Sequence, residues 1–332
     1  MNPYQVVWEL TLRCNMNCSH CGSKAGKTRP NELTTEQAKK VIHQLDDLGT
    51  ESVVFMGGEV FLRKDWFELA KEVNKTNIEL LMISNGYQIT KNIIDKLSEL
   101  KIGNFGVSID GGTAKTHDSI RRRPGSFDQC FSFINELNNH NIPTNAITSV
   151  LKNNIEELPK LRNLLKGKVP YWQLQVGCPV GRLGDSSMIS LGQYYQLGEF
   201  INESQDFCRF GYTIFGADNC GYFSGKLYNN GWKGCQAGKR VIGIRSNGDI
   251  LSCLSINSDS YIEGNVKEKS LVDIWNSPNF AKFNKQITLG SNCSSCFHKT
   301  DCGGGCSSMS IAMTGVPHNN PYCYHLIEKG EK

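Results

Sequence analysis

The sequence predicts an α/β fold: a partial (β/α)6 barrel of parallel strands with a small cysteine-rich domain at its C-terminal end. Three observations predict it. From residue 4 to about residue 180, short apolar or β-branched runs alternate with stretches whose apolar residues recur at helical spacing, the mark of strand–helix units with parallel strands and right-handed crossovers. After residue 185 the pattern gives way to polar loops rich in Gly, Asn and Cys. Seven of the 14 cysteines fall after residue 231, in a region with too little apolar periodicity for a core of its own, so it needs metal or disulfide staples.

Strands are expected at 6–12, 52–56, 79–84, 104–109, 144–150 and 171–176. The first helix opens at a capping box, Thr34 with Gln37, and carries Ala38, Val41, Ile42, Leu45 and Leu48 on one face. A second box, Ser126 with Gln129, opens the helix through Phe131, Ile134 and Leu137. Six units fall short of the eight that close a barrel, and the active site of such a sheet lies at the C-terminal ends of its strands. The chain divides into a barrel over 1–184, a bridging region over 185–230 and a small domain over 231–332.

Composition excludes several functions. A net charge of +4 on 332 residues is too small for a nucleic-acid partner. No apolar run approaches the roughly 20 residues that span a membrane, and no signal peptide precedes residue 4. A cytoplasmic protein in a reducing compartment follows, and there clustered cysteines are metal or cluster ligands before they are disulfides.

Cys14, Cys18 and Cys21 form a CxxxCxxC loop directly after the first strand. Three thiolates on one loop can hold three irons of a 4Fe-4S cube and leave the fourth open. Zinc is the alternative, but it closes its shell with four ligands and this loop offers no fourth apart from His20. The motif resembles that of the radical S-adenosylmethionine superfamily, in which the open iron binds the cofactor and the reduced cluster releases a 5′-deoxyadenosyl radical. The family has an aromatic ring where His20 stands, which implies packing for this side chain rather than ligation. Gly57-Gly58-Glu59, ending the second strand, resembles the family's GGE motif, with glycines that admit a ligand to the backbone and a carboxylate for the methionyl ammonium. Ser84-Asn85 and Ser108 with Asp110, ending strands three and four, resemble positions that touch the cofactor. Arg182, after Pro179-Val180-Gly181, resembles a further such contact.

The C-terminal cysteines match the SPASM domain of the same superfamily in every interval: Cys235, then Gly248 and Cys253, then Cys293-x2-Cys296-x5-Cys302-x3-Cys306, and Cys323. The resemblance implies two auxiliary 4Fe-4S clusters beside the radical one. It gives Cys293, Cys296, Cys302 and Cys323 to the outer cluster and Cys235, Cys253 and Cys306 to the inner, whose fourth ligand is Cys220 or a substrate group. Paired zinc sites are the other reading of these spacings. Cys178 follows the sixth strand and is a candidate hydrogen-atom donor, while Cys130 reads as core, Cys208 has no legible context, and Arg121-Arg122-Arg123 reads as a solvated loop.

The combined resemblance implies a maturase of ribosomally made precursor peptides, with oxidoreductase or lyase chemistry that cross-links residues, excises backbone as spliceases do, or epimerises. Only thirteen residues precede Cys14, so leader recognition is expected from a separate small protein that adds a strand to its sheet. A flavodoxin or ferredoxin is the expected electron donor. Two other readings stand. One is oxidation of Cys or Ser in a protein, as sulfatase maturases do, although Gly22 stands where those carry an aromatic residue. The other is a non-catalytic electron carrier, which needs no GGE motif.

Overall fold

The computed structural model describes residues 2–204, 211–221, 232 and 234–330. All six expected strands form: β1 (Gln5–Thr11), β2 (Ser52–Gly57), β3 (Glu79–Ser84), β4 (Asn104–Ser108), β5 (Thr144–Val150) and β6 (Tyr171–Val176). They pair in parallel in sequence order. Two further parallel strands join them. β7 (Thr213–Gly216), from the stretch read as a bridge, extends the sheet beyond β6. β8 (Val241–Ile244), from the cysteine-rich region, lies against the other side of β1 with Val6 opposite Ile242. β9 (Asp249–Leu251) and β10 (Ile262–Asn265) continue antiparallel, giving the order β10-β9-β8-β1-β2-β3-β4-β5-β6-β7.

Strand alternation separates the sheet's two faces. On β1, Val6, Trp8 and Leu10 are fully buried on the helix side, while Gln5, Val7 and Glu9 line a cavity on the other. β6 repeats this, with Trp172 and Leu174 buried and Gln173 and Gln175 lining the cavity. The covering helices are α1 (Thr35–Asp47), α2 (Trp66–Val73), α3 (Lys91–Ser98), α4 (Ala114–Arg121), α5 (Ser126–Asn139), α6 (Leu158–Leu165) and α7 (Leu191–Glu203). α1 has the expected capping box and buries Ala38, Val41, Ile42 and Leu45.

The start of α5 differs from expectation. Ser126 lies inside the helix, the cap position is Gly125, and neither makes a side-chain cap. Asp118 of α4 does the capping: its carboxylate accepts from Gly125 N–H at 2.6 Å, Phe127 N–H at 2.9 Å and the Ser126 hydroxyl at 2.9 Å. A carboxylate from the preceding helix satisfies more orphan donors than a local serine can. The C-terminal region is tied to the rest by side chains as well as by β8. Ser246 donates to Glu9, Asn257 to the Gly22 carbonyl at 2.6 Å and Tyr322 to the Ile189 carbonyl at 2.6 Å. No described helix is long and apolar enough to cross a membrane.

Candidate active site

The loop carrying Cys14, Cys18 and Cys21 leaves β1 at the C-terminal edge of the sheet and is held along its whole length. Cys14 N–H donates to Gly26 C=O, and Gly26 N–H to Leu12 C=O. Arg182 donates from Nε to the Cys18 carbonyl at 2.8 Å and from Nη1 to the Ala25 carbonyl at 3.0 Å. Gly181 makes that approach possible: its φ is +67°, and a Cβ there would stand 2.3 Å from the Cys21 carbonyl oxygen. Arg123 donates to the Asn15 carbonyl.

Donors surround the thiols. Met16 N–H points at Cys14 Sγ and Ala25 N–H at Cys21 Sγ, 3.4 and 3.3 Å away. Arg121 Nη1 lies 3.8 Å from Cys18 Sγ, and Asn85 Nδ2 lies 3.9 Å from Cys14 Sγ. Such a shell suits a sulfur-ligated anionic cluster, whose potential hydrogen bonds to sulfur help to set. Among the described residues, no three His, Cys, Asp or Glu side chains gather closely enough to hold a single metal ion.

Gly57 and Gly58 pack on the loop's own backbone. Added Cβ atoms would meet Thr11 O and Arg13 O at 2.3 Å each. Both glycines also line the cavity, so they admit a neighbouring strand end on one side and a ligand on the other. Glu59 is 2 % exposed and is not among the lining residues. Its carboxylate accepts from Ser84 Oγ and Asn85 N–H at 2.9 Å each, bracing β2 against β3. Burial pushes its carboxyl up to about 7.

Asp110 is fully buried on the far side of the loop. It pairs with Arg121 Nη2 at 2.7 Å and His20 Nε2 at 3.3 Å, and accepts Ser149 N–H at 2.9 Å. Arg121 therefore belongs to no solvated loop: it is buried, its guanidinium bridging Asp110 and Cys18. Burial holds His20 down near 4, so it is neutral beside this pair. The sequence carried a signal for Arg121, because His117, Ile120 and Arg121 form the buried stripe of α4.

One cavity of about 1860 Å³ joins the two cysteine groups. Cys14, Cys18 and Cys21 line it together with Cys235, Cys253 and Cys306, and Ser84, Asn85, Ser108, Cys178 and Arg182 line it between them. Burial lifts the Cys178 thiol to about 12, leaving it an S–H at neutral pH. Cys253 is lifted to about 11 by burial and then by Cys235, and Cys306 is raised by burial and then by both. Cys302 is raised to about 12 by burial, with Cys323 and Cys293 adding to it. Cys235 thus acts on Cys253 and Cys306, and Cys293 and Cys323 act on Cys302.

Cys220 does not join the inner group. It is fully buried in the core, its thiol 3.4 Å from the Leu174 carbonyl, because the turn after β7 rotates it away from the cavity. Cys130 is core, as expected, donating to the Asn85 carbonyl at 3.1 Å. Cys208 lies outside the described residues.

A family model described as "Radical SAM superfamily" matches residues 8–165, and one for SPASM, described as "Iron-sulfur cluster-binding domain", matches residues 235–297. The chain is 30 % identical to the AdoMet-dependent heme synthase of Methanosarcina barkeri, over 97 % of each protein. It is 28 % identical to the mycofactocin maturase MftC of Mycolicibacterium smegmatis, over 96 % of this chain and 81 % of that one. Its fold matches SuiB of Streptococcus suis bound to S-adenosylmethionine with a TM-score of 0.79 at 20 % identity, over 97 % of this chain and 77 % of that one.

Proposed function

Because the chain belongs to the radical S-adenosylmethionine superfamily, a superfamily of enzymes, and carries a SPASM domain, we propose that it is a peptide maturase acting on a ribosomally made precursor. The shared cavity carries this reading. Small-molecule sites measure about 300–1,000 Å³; a cavity of about 1860 Å³ has room for S-adenosylmethionine and for a segment of chain beside it.

When bound, the radical cluster at Cys14, Cys18 and Cys21 and S-adenosylmethionine supply a carbon radical that takes a hydrogen atom from the substrate. The rest is the work of this chain. Arg182, Arg123 and the Arg121–Asp110 pair hold the loop, Glu59 fixes the ends of β2 and β3, and Gly57, Gly58, Ser84, Asn85 and Ser108 present the strand ends to the cofactor. The Cys178 thiol, protonated on the cavity wall, is placed to return a hydrogen atom. Cys235, Cys253 and Cys306 hold the inner auxiliary cluster, and Cys293, Cys296, Cys302 and Cys323 the outer. The relatives' names are those of enzymes, which sets the electron-carrier reading aside.

The proposal includes a separate leader-recognition protein and a flavodoxin- or ferredoxin-type donor. Its test is anaerobic co-expression with any small peptide encoded beside the gene, against a Cys14→Ala, Cys18→Ala, Cys21→Ala control. Cluster-dependent loss of two hydrogens means a cross-link, loss of a residue-sized fragment means excision, and unchanged mass with deuterium gained in heavy water means epimerisation. A peptide left unaltered in the presence of the recognition protein refutes the peptide reading.

A second reading has its own support. The end-to-end match to a heme synthase is accompanied by Lys239, Arg240 and Lys285 on the cavity lining. Lys239 and Arg240 form no ion pair among the described residues, which suits an anionic haem precursor. Turnover of such a precursor with no effect on any peptide favours this reading.

A further inference from the structure

β8 and β9 pair as an antiparallel hairpin whose turn spans residues 245–248 and whose exit leads to Cys253. Cys253 is seated closely on that hairpin. Gly243 of β8 lies under the peptide that follows it, where a Cβ would stand 2.4 Å from Leu254 N, and Gly243 itself pairs with Val7 of β1. Beyond Cys253 the chain turns back at once, with Ile256 N–H donating to the Cys253 carbonyl at 3.0 Å. That turn delivers Asn257.

From there the hairpin grips the N-terminal cysteine loop and its exit at two places. Asn257 Nδ2 donates to the Gly22 carbonyl at 2.6 Å, one residue from Cys21, while its Oδ1 accepts from Arg245 Nη2 at 3.2 Å. Arg245 is buried and held in turn by Asp259 at 2.6 Å, so the Asn257 amide is oriented toward Gly22. The second place is a buried carboxylate. Glu9 on β1 accepts the Ser246 hydroxyl at 3.0 Å and both Nε and Nη2 of Arg29, at 2.6 and 3.1 Å. The Ser246 carbonyl accepts Leu33 N–H at 2.7 Å. Neither contact belongs to the hairpin's own pairing; both join it to the segment that follows Cys21.

We propose that the β8–β9 hairpin couples the two sites: ligation of Cys253 in the inner group fixes the turn to Asn257, and Asn257 with Ser246 then holds the loop of Cys14, Cys18 and Cys21 in the form that takes S-adenosylmethionine. This rests on the reading of both cysteine groups as cluster ligands. The physical basis is ordering. A loop already held by the hairpin loses less conformational freedom when the cofactor binds, which raises affinity without any new contact to the cofactor. Ser246 and Asn257 are positioning residues, acting through Glu9 and Gly22. Coupling between sites is typically about 5–150-fold in affinity. The low end is expected here, since the side-chain part of the grip is one hydrogen bond from each residue.

The test is a double-mutant cycle on the full chain, reconstituted anaerobically and left unreduced so that S-adenosylmethionine binds without turnover. One arm removes the inner site, with Cys235→Ala, Cys253→Ala and Cys306→Ala; the other removes the grip, with Ser246→Ala and Asn257→Ala. The readouts are S-adenosylmethionine affinity by equilibrium dialysis and hydrogen exchange of residues 14–26, with the β4 and β5 amides as the reference for global stability. With the grip intact, loss of the inner site weakens affinity about 5-fold and speeds exchange in residues 14–26. With the grip removed, the same loss changes affinity by less than about 2-fold, the scatter of independent sites. A loss of equal size in both backgrounds overturns the proposal, as does an affinity indifferent to the inner cysteines. Asn257→Asp, with every cysteine in place, keeps an acceptor for Arg245 and removes the donor to Gly22; exchange quickens in residues 14–26 and not in β4 and β5. Exchange that quickens equally in both regions, or in neither, also overturns the proposal. Iron content that does not fall on replacing Cys235, Cys253 and Cys306 by Ala overturns the underlying cluster reading instead.

Discussion

Asp110→Asn separates a structural role for this carboxylate from direct contact with cofactor. The substitution keeps shape and keeps an acceptor for Ser149 N–H, but it removes the charge 2.7 Å from Arg121. Arg121 is 8 % exposed and Asp110 fully buried, so the guanidinium loses its counter-charge where water does not replace it. Breaking a buried pair in this way costs about 3–5 kcal/mol. At roughly 1.4 °C per kcal/mol for a chain of 332 residues, Tm falls by about 4–7 °C. Replacing both partners, Asp110→Asn with Arg121→Met, removes the stranded charge and recovers a large part of that loss. The assay is thermal and urea unfolding of the four proteins, prepared identically under anaerobic conditions. A loss below about 1 kcal/mol, or a double variant as unstable as the sum of the single ones, refutes the argument. If stability holds while S-adenosylmethionine affinity collapses, Asp110 is a cofactor contact after all.

Three other outcomes are expected. Arg182→Ala removes two charge-assisted bonds to the Cys18 and Ala25 carbonyls, worth about 1.5–3 kcal/mol each; iron analysis in a variant lacking the auxiliary cysteines should show reduced occupancy of the N-terminal site. Cys220→Ala leaves iron content unchanged and costs about 1–2 kcal/mol in urea unfolding, since it deletes only a buried core thiol. Asp118→Ala strips the cap of α5 and costs about 1–2 kcal/mol. Burial pushes the Asp118 carboxyl up, but bonds from Phe127, Gly125 and Ser126 outweigh it and hold the pKa below the ordinary value. The stabilisation is therefore present above an ordinary carboxyl pKa of about 3.9 and lost as pH falls through the depressed one, so the gap between variant and parent stays constant at neutral pH and closes in acid.

Strands and the cysteine groups that share the cavity were legible because both are local signals. A parallel strand reads as a short apolar run, and cluster ligands sit at fixed short intervals on one loop. β7 and β8 were not legible, since four residues carry too little pattern and their membership is decided by the partner strand they meet, β6 or β1. The partners of Glu59 and Asp110 were not legible for a related reason. A carboxylate at a strand end looks the same in sequence whether it faces a ligand or a neighbouring strand, and only packing shows Glu59 turned to Ser84 and Asp110 to Arg121. The inward position of Cys220 was not legible either, because its distance along the chain says nothing of which side of a helical turn faces the cavity.

Under the proposed function, Cys14, Cys18 and Cys21 hold the cluster that opens S-adenosylmethionine inside the shared cavity. The direct measurement is release of 5′-deoxyadenosine by the anaerobically reconstituted protein with dithionite and S-adenosylmethionine, beside the Cys14→Ala, Cys18→Ala, Cys21→Ala variant. Release is expected from the parent protein and none from the variant, which keeps its auxiliary iron. Release that survives loss of the three cysteines, or its absence from fully reconstituted parent protein, contradicts it.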